Sequence, residues 1–573
     1  MRKDGTVTSR SSGALGALCL AAMLLAGAPA RADGHAGGYL AGRHAMLAND
    51  FPAAARYFAR ALVREPKDVE LMLLLQKAYI GSADIDRALA VARRLEALGI
   101  DSWWAALLLM VEALDKGEYA VALEKIKTSE HRKLLLVGLG KGWALVGLGR
   151  MNQALEIFDE VETQLGGAGI GKYHKALALM MAGDLEGAER LLAETGGKRL
   201  APSWRQALAH VEILSQLGRY RDAYDHFAKV FGTSSEPMVK AVRTRLEAGE
   251  PLPFTVATTP AEGMAEALFD LTLLTKSNGL RENALLYSRL AEYLSPGNIE
   301  AILISAEILE DMGRYDLAVD VYAQVPREDL LFLEAELGRT RALHNSGMAE
   351  EATEALERLA RSFPDQFSVH KALGDSYRLR EKYAEAAEAY DRAIALLDSP
   401  GRKEWSLFYL RGISYERIGE WDRAEADFRK ALELEPDQPE VLNYFGYSLV
   451  ELRRNLDEAL EMISRAADAR PDDGYTIDSL GWVLYRLGRY PEAVEHLERA
   501  AELLSVDPIV ADHLGDAYWA VGRRREARFQ WRRALSFGPE EEEAERIRRK
   551  LEIGLDAVLE EEGAPPLSLA DGN

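Results

Sequence analysis

The residues with the most suggestive chemical spacing lie in "GGAGIGKY", Gly166 to Tyr173. Gly166, Gly171 and Lys172 stand where a phosphate-binding loop would need them. Such a loop cradles phosphate on backbone amides, adds the lysine as counter-charge, and holds magnesium through the next hydroxyl residue. Here Tyr173 replaces that serine or threonine. The upstream stretch "ALEIFDEVETQL" has helical rather than strand periodicity, so no strand leads into the loop. The segment reads as a connection between helices, and no nucleotide or other cofactor is expected.

Other reactive residue types are sparse. The ten histidines are scattered, with no two at metal-ligand spacing on one helix. Asp222 and His226 share a helical face, which suits a surface ion pair. G-x-S-x-G and H-E-x-x-H are both missing from the sequence, and the one cysteine, Cys19, lies in a segment expected to be removed. No catalytic or metal-binding residue is assigned, and the chain is not expected to be an enzyme. Its net charge of −22 also argues against phosphate backbones, so nucleic acid is excluded as a main partner.

A different constellation suits binding. Asn443, Tyr447, Asp478, Trp482, Tyr485, Asp512, Asp516 and Trp519 recur at offsets that share one helical side, with Tyr475 and His513 nearby. Rigid aromatic area beside orienting carboxylates is what a peptide or protein groove needs. The competing reading is that these aromatics pack between neighbouring helices, as buried aromatics commonly do.

The elements that would position them repeat. "IDSLGWVLYRLGRYPEAVEHLERA", Ile477 to Ala500, is echoed 34 residues on by "ADHLGDAYWAVGRRREARFQWRRA", Ala511 to Ala534. Aligned on Ala493, counterparts run from Ala54 through Ala88, Ala122, Ala154, Ala188, Ala223, Ala284, Ala318, Ala352, Ala386, Ala424 and Ala459 to Ala527, mostly 34 residues apart. A glycine precedes many of these alanines by five residues, as at Gly149, Gly488 and Gly522. A small residue stands twelve before, a bulky one such as Phe58, Phe158 or Trp531 four after, and a proline closes several units, as at Pro66, Pro436, Pro471 and Pro539. Each unit is thus helix A, a glycine turn and helix B, the small residue admitting the bulky one.

With spacing, turn glycine, small–bulky pair and closing proline recurring together, the chain resembles the tetratricopeptide-repeat family. The resemblance implies an all-α, right-handed superhelix of about fourteen helix-turn-helix repeats. Its concave wall would be lined by the A helices, so the aromatic–carboxylate residues would face a groove.

The expected organisation is as follows. Residues 1–32 carry a basic start (Arg2, Lys3, Arg10), an apolar run from Ala14 to Ala26 and small-residue cleavage sites, the pattern of a secretory signal. Leu18 rather than a small residue precedes Cys19, which argues against lipidation. An N-terminal array would span 33–232, a proline-rich joint 233–260, and a C-terminal array 261–539. Residues 540–562 would form one capping helix, covering the last repeat with Ile547, Leu551, Ile553 and Leu555 while its charges, Lys550 among them, face water, and 563–573 a frayed end. Once the signal is cleaved, no membrane-spanning segment is expected, and the chain is placed in the periplasm.

The stretch from Val441 to Trp531 bears a narrower resemblance, to envelope tetratricopeptide proteins that bind a carboxyl-terminal processing protease. That resemblance implies a non-enzymatic adaptor for such a protease or its cell-wall hydrolase substrates. The rival reading is a structural scaffold in envelope polymer export or assembly.

Overall fold

The computed structural model describes residues 35–127, 135–164, 166–195, 204–232, 237–564 and 567. The signal-like segment 1–32, the start of the joint at 233–236 and most of the frayed end fall outside them. The described residues are helix hairpins joined by tight turns, without strands.

The repeat register has direct physical expression. All fourteen anchor alanines are at most 1% exposed. A Cβ added to Gly42, Gly142, Gly374, Gly412 or Gly515 would stand 2.3–2.7 Å from the ring of Phe58, Phe158, Tyr390, Phe428 or Trp531. Only a missing side chain allows that approach. The turn glycines five before the anchors have positive φ, and non-glycines follow the same path at Asn49, Ala83 and Glu381. The turn geometry therefore outranks the residue's own preference at those three positions.

The chain divides by its contacts into two units, Met1–Ala352 and Thr353–Asn573. This boundary lies inside the helix Ala349–Ser362, not at the joint 233–260. The joint is pinned to the first unit. It contains the helix Pro237–Glu247 and then an extended run in which Leu252, Val256 and Ala257 are buried. The Leu252 amide donates to Ser215 Oγ at 3.0 Å, and the Thr255 amide to Glu212 at 3.1 Å. A capping box between Thr259 and Glu262 then starts the long helix Pro260–Ser277.

That helix, expected to open a second array, instead packs on three A helices of the first unit, Trp103–Asp115, Leu135–Gly147 and Ile170–Met181. Its neighbour Arg281–Leu294 packs on Val69–Gly81 and Trp103–Asp115. At Gly263 a Cβ would meet the Trp143 ring at 2.5 Å. A buried polar seam fixes the docking. Arg205 Nε donates to Glu266 Oε1 at 2.8 Å, and Arg205 Nη1 to Glu300 Oε2 at 2.8 Å. Tyr173 OH donates to Glu266 Oε2 at 3.2 Å, and His174 Nε2 lies 3.4 Å from Asp270 Oδ2.

In the second unit, hairpins from Phe367–Leu379 onward stack in order to Arg524–Ser536. The longer anchor interval before Ala424 accommodates a 3₁₀ turn, Arg402–Glu404. The extra residue before Ala459 is absorbed where Arg453 and Asn455 both take positive φ. The expected single capping helix is two helices, Glu541–Ile553 and Leu555–Glu561, broken at Gly554 (φ +88°). Ile547 and Leu555 are buried as expected, but Leu551 is half-buried and Ile553 exposed. Lys550, expected in water, is 0% exposed.

Candidate functional site

The glycine loop makes no phosphate cradle. Gly169 caps the helix Ile170–Met181, and its amide donates to Glu162 Oε1 at 3.0 Å and Oε2 at 2.9 Å. The Lys172 amide donates to the same carboxylate at 3.2 Å. A side chain of the chain itself thus takes the place an anion would take at a helix N-terminus. Asp222 pairs with Arg219 at 2.7 Å, not with His226 as expected; His226 packs instead on His210, ring centroids 4.7 Å apart. Among the described residues no three His, Cys, Asp or Glu side chains converge as metal ligands.

The aromatic–carboxylate residues do converge, on three successive A helices of the second unit: Pro439–Glu451, Gly474–Arg486 and Pro508–Ala520. Local sequence fixes these helices. Asp473 and Asp507 cap the second and third, Asp507 accepting the Ile509 and Val510 amides at 2.9 and 3.0 Å. Pro439 and Pro508 suit the first turn, and Gly488 and Gly522 end the A helices in the left-handed conformation.

The cluster is not the open groove expected from the sequence. Asp478, Trp482, Tyr485, His513, Asp516 and Trp519 are buried, Asn443, Tyr447 and Asp512 half-buried. Tyr475 stands apart at the N-terminal end of its helix, 59% exposed. The Trp482 ring lies between two others, stacked on Tyr485 (4.7 Å, 6°) and on His513 (3.9 Å, 10°). Its Nε1 donates to Glu451 at 2.7 Å. Asp478 Oδ2 lies 2.9 Å from His513 Nδ1. Burial pulls the His513 imidazole down, but the charge and hydrogen bond of Asp478, with Asp512 and Asp516, hold its pKa above the ordinary histidine value.

The tail covers this cluster. Lys550 Nζ donates to Asp512 Oδ2 at 2.6 Å and to both oxygens of Asp516 at 2.8 Å. Trp531 Nε1 adds a fourth hydrogen bond, 2.9 Å from Asp516 Oδ1. Burial raises the pKa of Asp516, with the charge of Asp512 adding to the effect and Lys550 opposing it. Trp519 Nε1 donates to Asp556 Oδ2 at 2.9 Å, and a Cβ on Gly554 would meet the Trp519 ring at 2.7 Å. Arg546 lies 3.8 Å from Asp516, and its charge pulls the Tyr485 pKa down, whereas that of Glu543 pushes Tyr447 up; in both tyrosines burial is the larger cause and raises the pKa. The direct contacts of this tail helix with the A helices thus fall on Pro508–Ala520, and its charges act on the two A helices before it.

Sequence reasoning missed Glu451, Arg546, Lys550 and Asp556. The available signal was Lys550, three residues after Ile547, hence on the tail helix's apolar side. Charge alone had placed it in water.

Family models described as tetratricopeptide repeat match residues 337–399, 409–474 and 475–504. The chain is similar to the TPR repeat-containing protein PA4667 of Pseudomonas aeruginosa, 32% identical over 187 residues. That match spans 32% of this chain and 30% of the relative, so less than a third of the relative's length is covered. Among solved structures, the APC/C hetero-tetramer Cut9-Hcn1 aligns over 94% of this chain and 99% of its own, at 15% identity and a TM-score of 0.38. A tetratricopeptide repeat protein from Parabacteroides merdae aligns over 45% of this chain and 98% of its own, at 17% identity and a TM-score of 0.36.

Proposed function

We propose a function from one premise: this chain is a tetratricopeptide-repeat protein, and its repeats form a scaffold for protein–protein interaction. The observation that carries the reading is the seated tail helix. The last A helix of the second unit, Pro508–Ala520, holds a helix through buried side chains, with Lys550 fully enclosed. A face able to order one helix by ionic and aromatic contacts has the chemistry to order another.

The finer reading is an exported adaptor for a carboxyl-terminal processing protease or its cell-wall hydrolase substrates. Two features support it: the basic, apolar and small-residue succession of residues 1–32, and the resemblance of Val441 to Trp531 to envelope adaptors. On this reading the protein works in the periplasm and docks its partner without doing chemistry itself. The test is affinity capture of the tagged, exported chain from envelope extract, with mass spectrometry of what it retains. A processing protease or a cell-wall hydrolase is the expected companion. Recovery of polymer-export components alone would replace the adaptor with the structural scaffold.

A further inference from the structure

The covered face says what kind of partner it fits. Three carboxylates, Asp478, Asp512 and Asp516, stand together on two neighbouring A helices; His513 meets the first, and the tail supplies the cations that meet the other two. Uncompensated buried carboxylates are costly, so this face cannot shed water against a neutral or acidic surface. Whatever lies on it must bring a cation.

The tail brings fewer donors than the face accepts. Asp478 is 5% exposed, and its Oδ1 accepts no hydrogen bond from the chain; the same is true of the buried Asp512 Oδ1. The first tail helix also has a narrow apolar hold, the tail's other buried apolar side chains, Leu555, Val558 and Leu559, belonging to Leu555–Glu561. Of the helix Glu541–Ile553, only Ala544, Ile547 and Lys550 are buried, and the remainder is mostly exposed charge. The helix follows the last hairpin, and the stacking of the hairpins among themselves does not run through it.

We propose that the face formed by Pro439–Glu451, Gly474–Arg486 and Pro508–Ala520 is a docking site for a cationic amphipathic helix of a protein partner, and that the chain's own tail occupies it as a displaceable stand-in. The tail provides the template: a cation at Arg546, an aliphatic side chain at Ile547, and a second cation one turn on at Lys550. A partner helix with that pattern, and with one more donor directed at Asp478 Oδ1 or Asp512 Oδ1, outcompetes the tail. This inference rests on the scaffold reading and supplies its missing specificity.

The probe is a fluorescent synthetic peptide with the sequence Glu540 to Glu562, added to the full-length chain. Lys550→Met in the full-length chain loosens the resident tail. The variant is expected to capture the wild-type peptide at least about tenfold more tightly than the wild-type chain does, since a resident competitor has been weakened. A peptide carrying both Arg546→Ala and Lys550→Ala should bind neither chain. Equal peptide binding by the two chains, or binding indifferent to those two cations, overturns the proposal.

Hydrogen exchange on the wild-type chain gives a second reading that does not depend on how well Lys550→Met folds. Amides in Glu541–Ile553 should exchange at least about tenfold faster than those in Pro508–Ala520, and faster still with excess unlabelled peptide. A tail that exchanges in step with Pro508–Ala520 and ignores the peptide is a permanent cap, and refutes displacement. Dimers that form through exchange of tails, detected by sedimentation and abolished in Lys550→Met, would assign the face to a second copy and refute the partner helix. Because the probe is the chain's own sequence, its failure leaves the scaffold reading to be judged by affinity capture alone.

Discussion

In the unit ending at Ala352, the helix that lies on the A helices is Pro260–Ser277; in the unit beginning at Thr353 it is Glu541–Ile553. Each is anchored by a buried cation against carboxylates, Arg205 with Glu266 and Glu300 in one, Lys550 with Asp512 and Asp516 in the other. They differ in how they are tethered and in what else they bury. Pro260–Ser277 sits mid-chain and buries Met264, Ala265, Ala267, Leu268, Phe269 and Leu271 beside its polar groups. The tail helix buries two apolar side chains and follows the last repeat. Similar electrostatics thus produce a structural core in one unit and a removable cover in the other, because apolar area and chain connectivity set the strength.

The largest expected effect tests that contrast. Arg205→Met leaves Glu266 and Glu300 buried without their cation and should cost the first unit about 3–5 kcal/mol. Lys550→Met should release the tail while the repeats of the second unit keep their helical signal and their transition. Denaturant unfolding followed by circular dichroism reads both, and equal losses in the two units would erase the distinction.

Next in size is Trp482→Ala. A ring stacked on both faces and hydrogen-bonded to Glu451 belongs to the core, so its removal should destabilise the second unit by about 3 kcal/mol. Exposed Tyr475→Ala should stay within about 0.5 kcal/mol. An unchanged melting temperature for Trp482→Ala would restore the open groove.

The units should also answer pH differently. Burial raises Glu212 from 4.5 to about 7, so its contribution favours the fold below pH 4.5 and is lost as pH rises towards 7. Glu266 and Glu300, raised by burial against the pull of Arg205, act in the same sense. Burial lowers His210 from 6.5 to about 4, and its stabilising contribution is present above 6.5 and lost as pH falls through 4. Between pH 6.5 and 4.5 the Glu212 and His210 contributions run in opposite directions and offset each other. Glu212→Gln should tilt that balance, making the unit less stable on acidification. In the second unit His513, raised by its carboxylates once burial is overcome, contributes fully below 6.5 and loses that contribution as pH climbs through its raised value. Melting curves across pH 5 to 9 check all three signs, and a second unit indifferent to alkaline pH would contradict the His513 assignment.

The smallest effect is a matched pair of gains. Ala83 and Glu381 hold positive φ at equivalent turns, one in each unit. Glycine at either should stabilise by about 1 kcal/mol. If the units unfold separately, calorimetry will show each substitution raising its own transition only; a common shift would mean they melt as one.

What was legible in the sequence was whatever the repeat enforces locally. Ala493 and its counterparts, the Gly142–Phe158 type of pair and the turn glycines follow from the packing of one hairpin, which recurs at each unit. Long-range docking has no period. Arg205 and Glu266 are 61 residues apart and form their pair once, so alignment on a repeat could not expose it. Similarly, the face bearing Trp482 and Asp516 was located by helical spacing, but spacing cannot say which segment will cover a face. The length of Pro260–Ser277, with Glu266 and Asp270 set among apolar residues, was the visible hint.

Glu162 has a bearing on how this chain tolerates its surroundings. With its carboxylate seated on the amides of Gly169 and Lys172, the glycine loop is already saturated, and a dissolved phosphate arriving there meets a like charge. The loop is insulated from the small anions of its medium, and that insulation comes from one side chain, not from the glycine backbone.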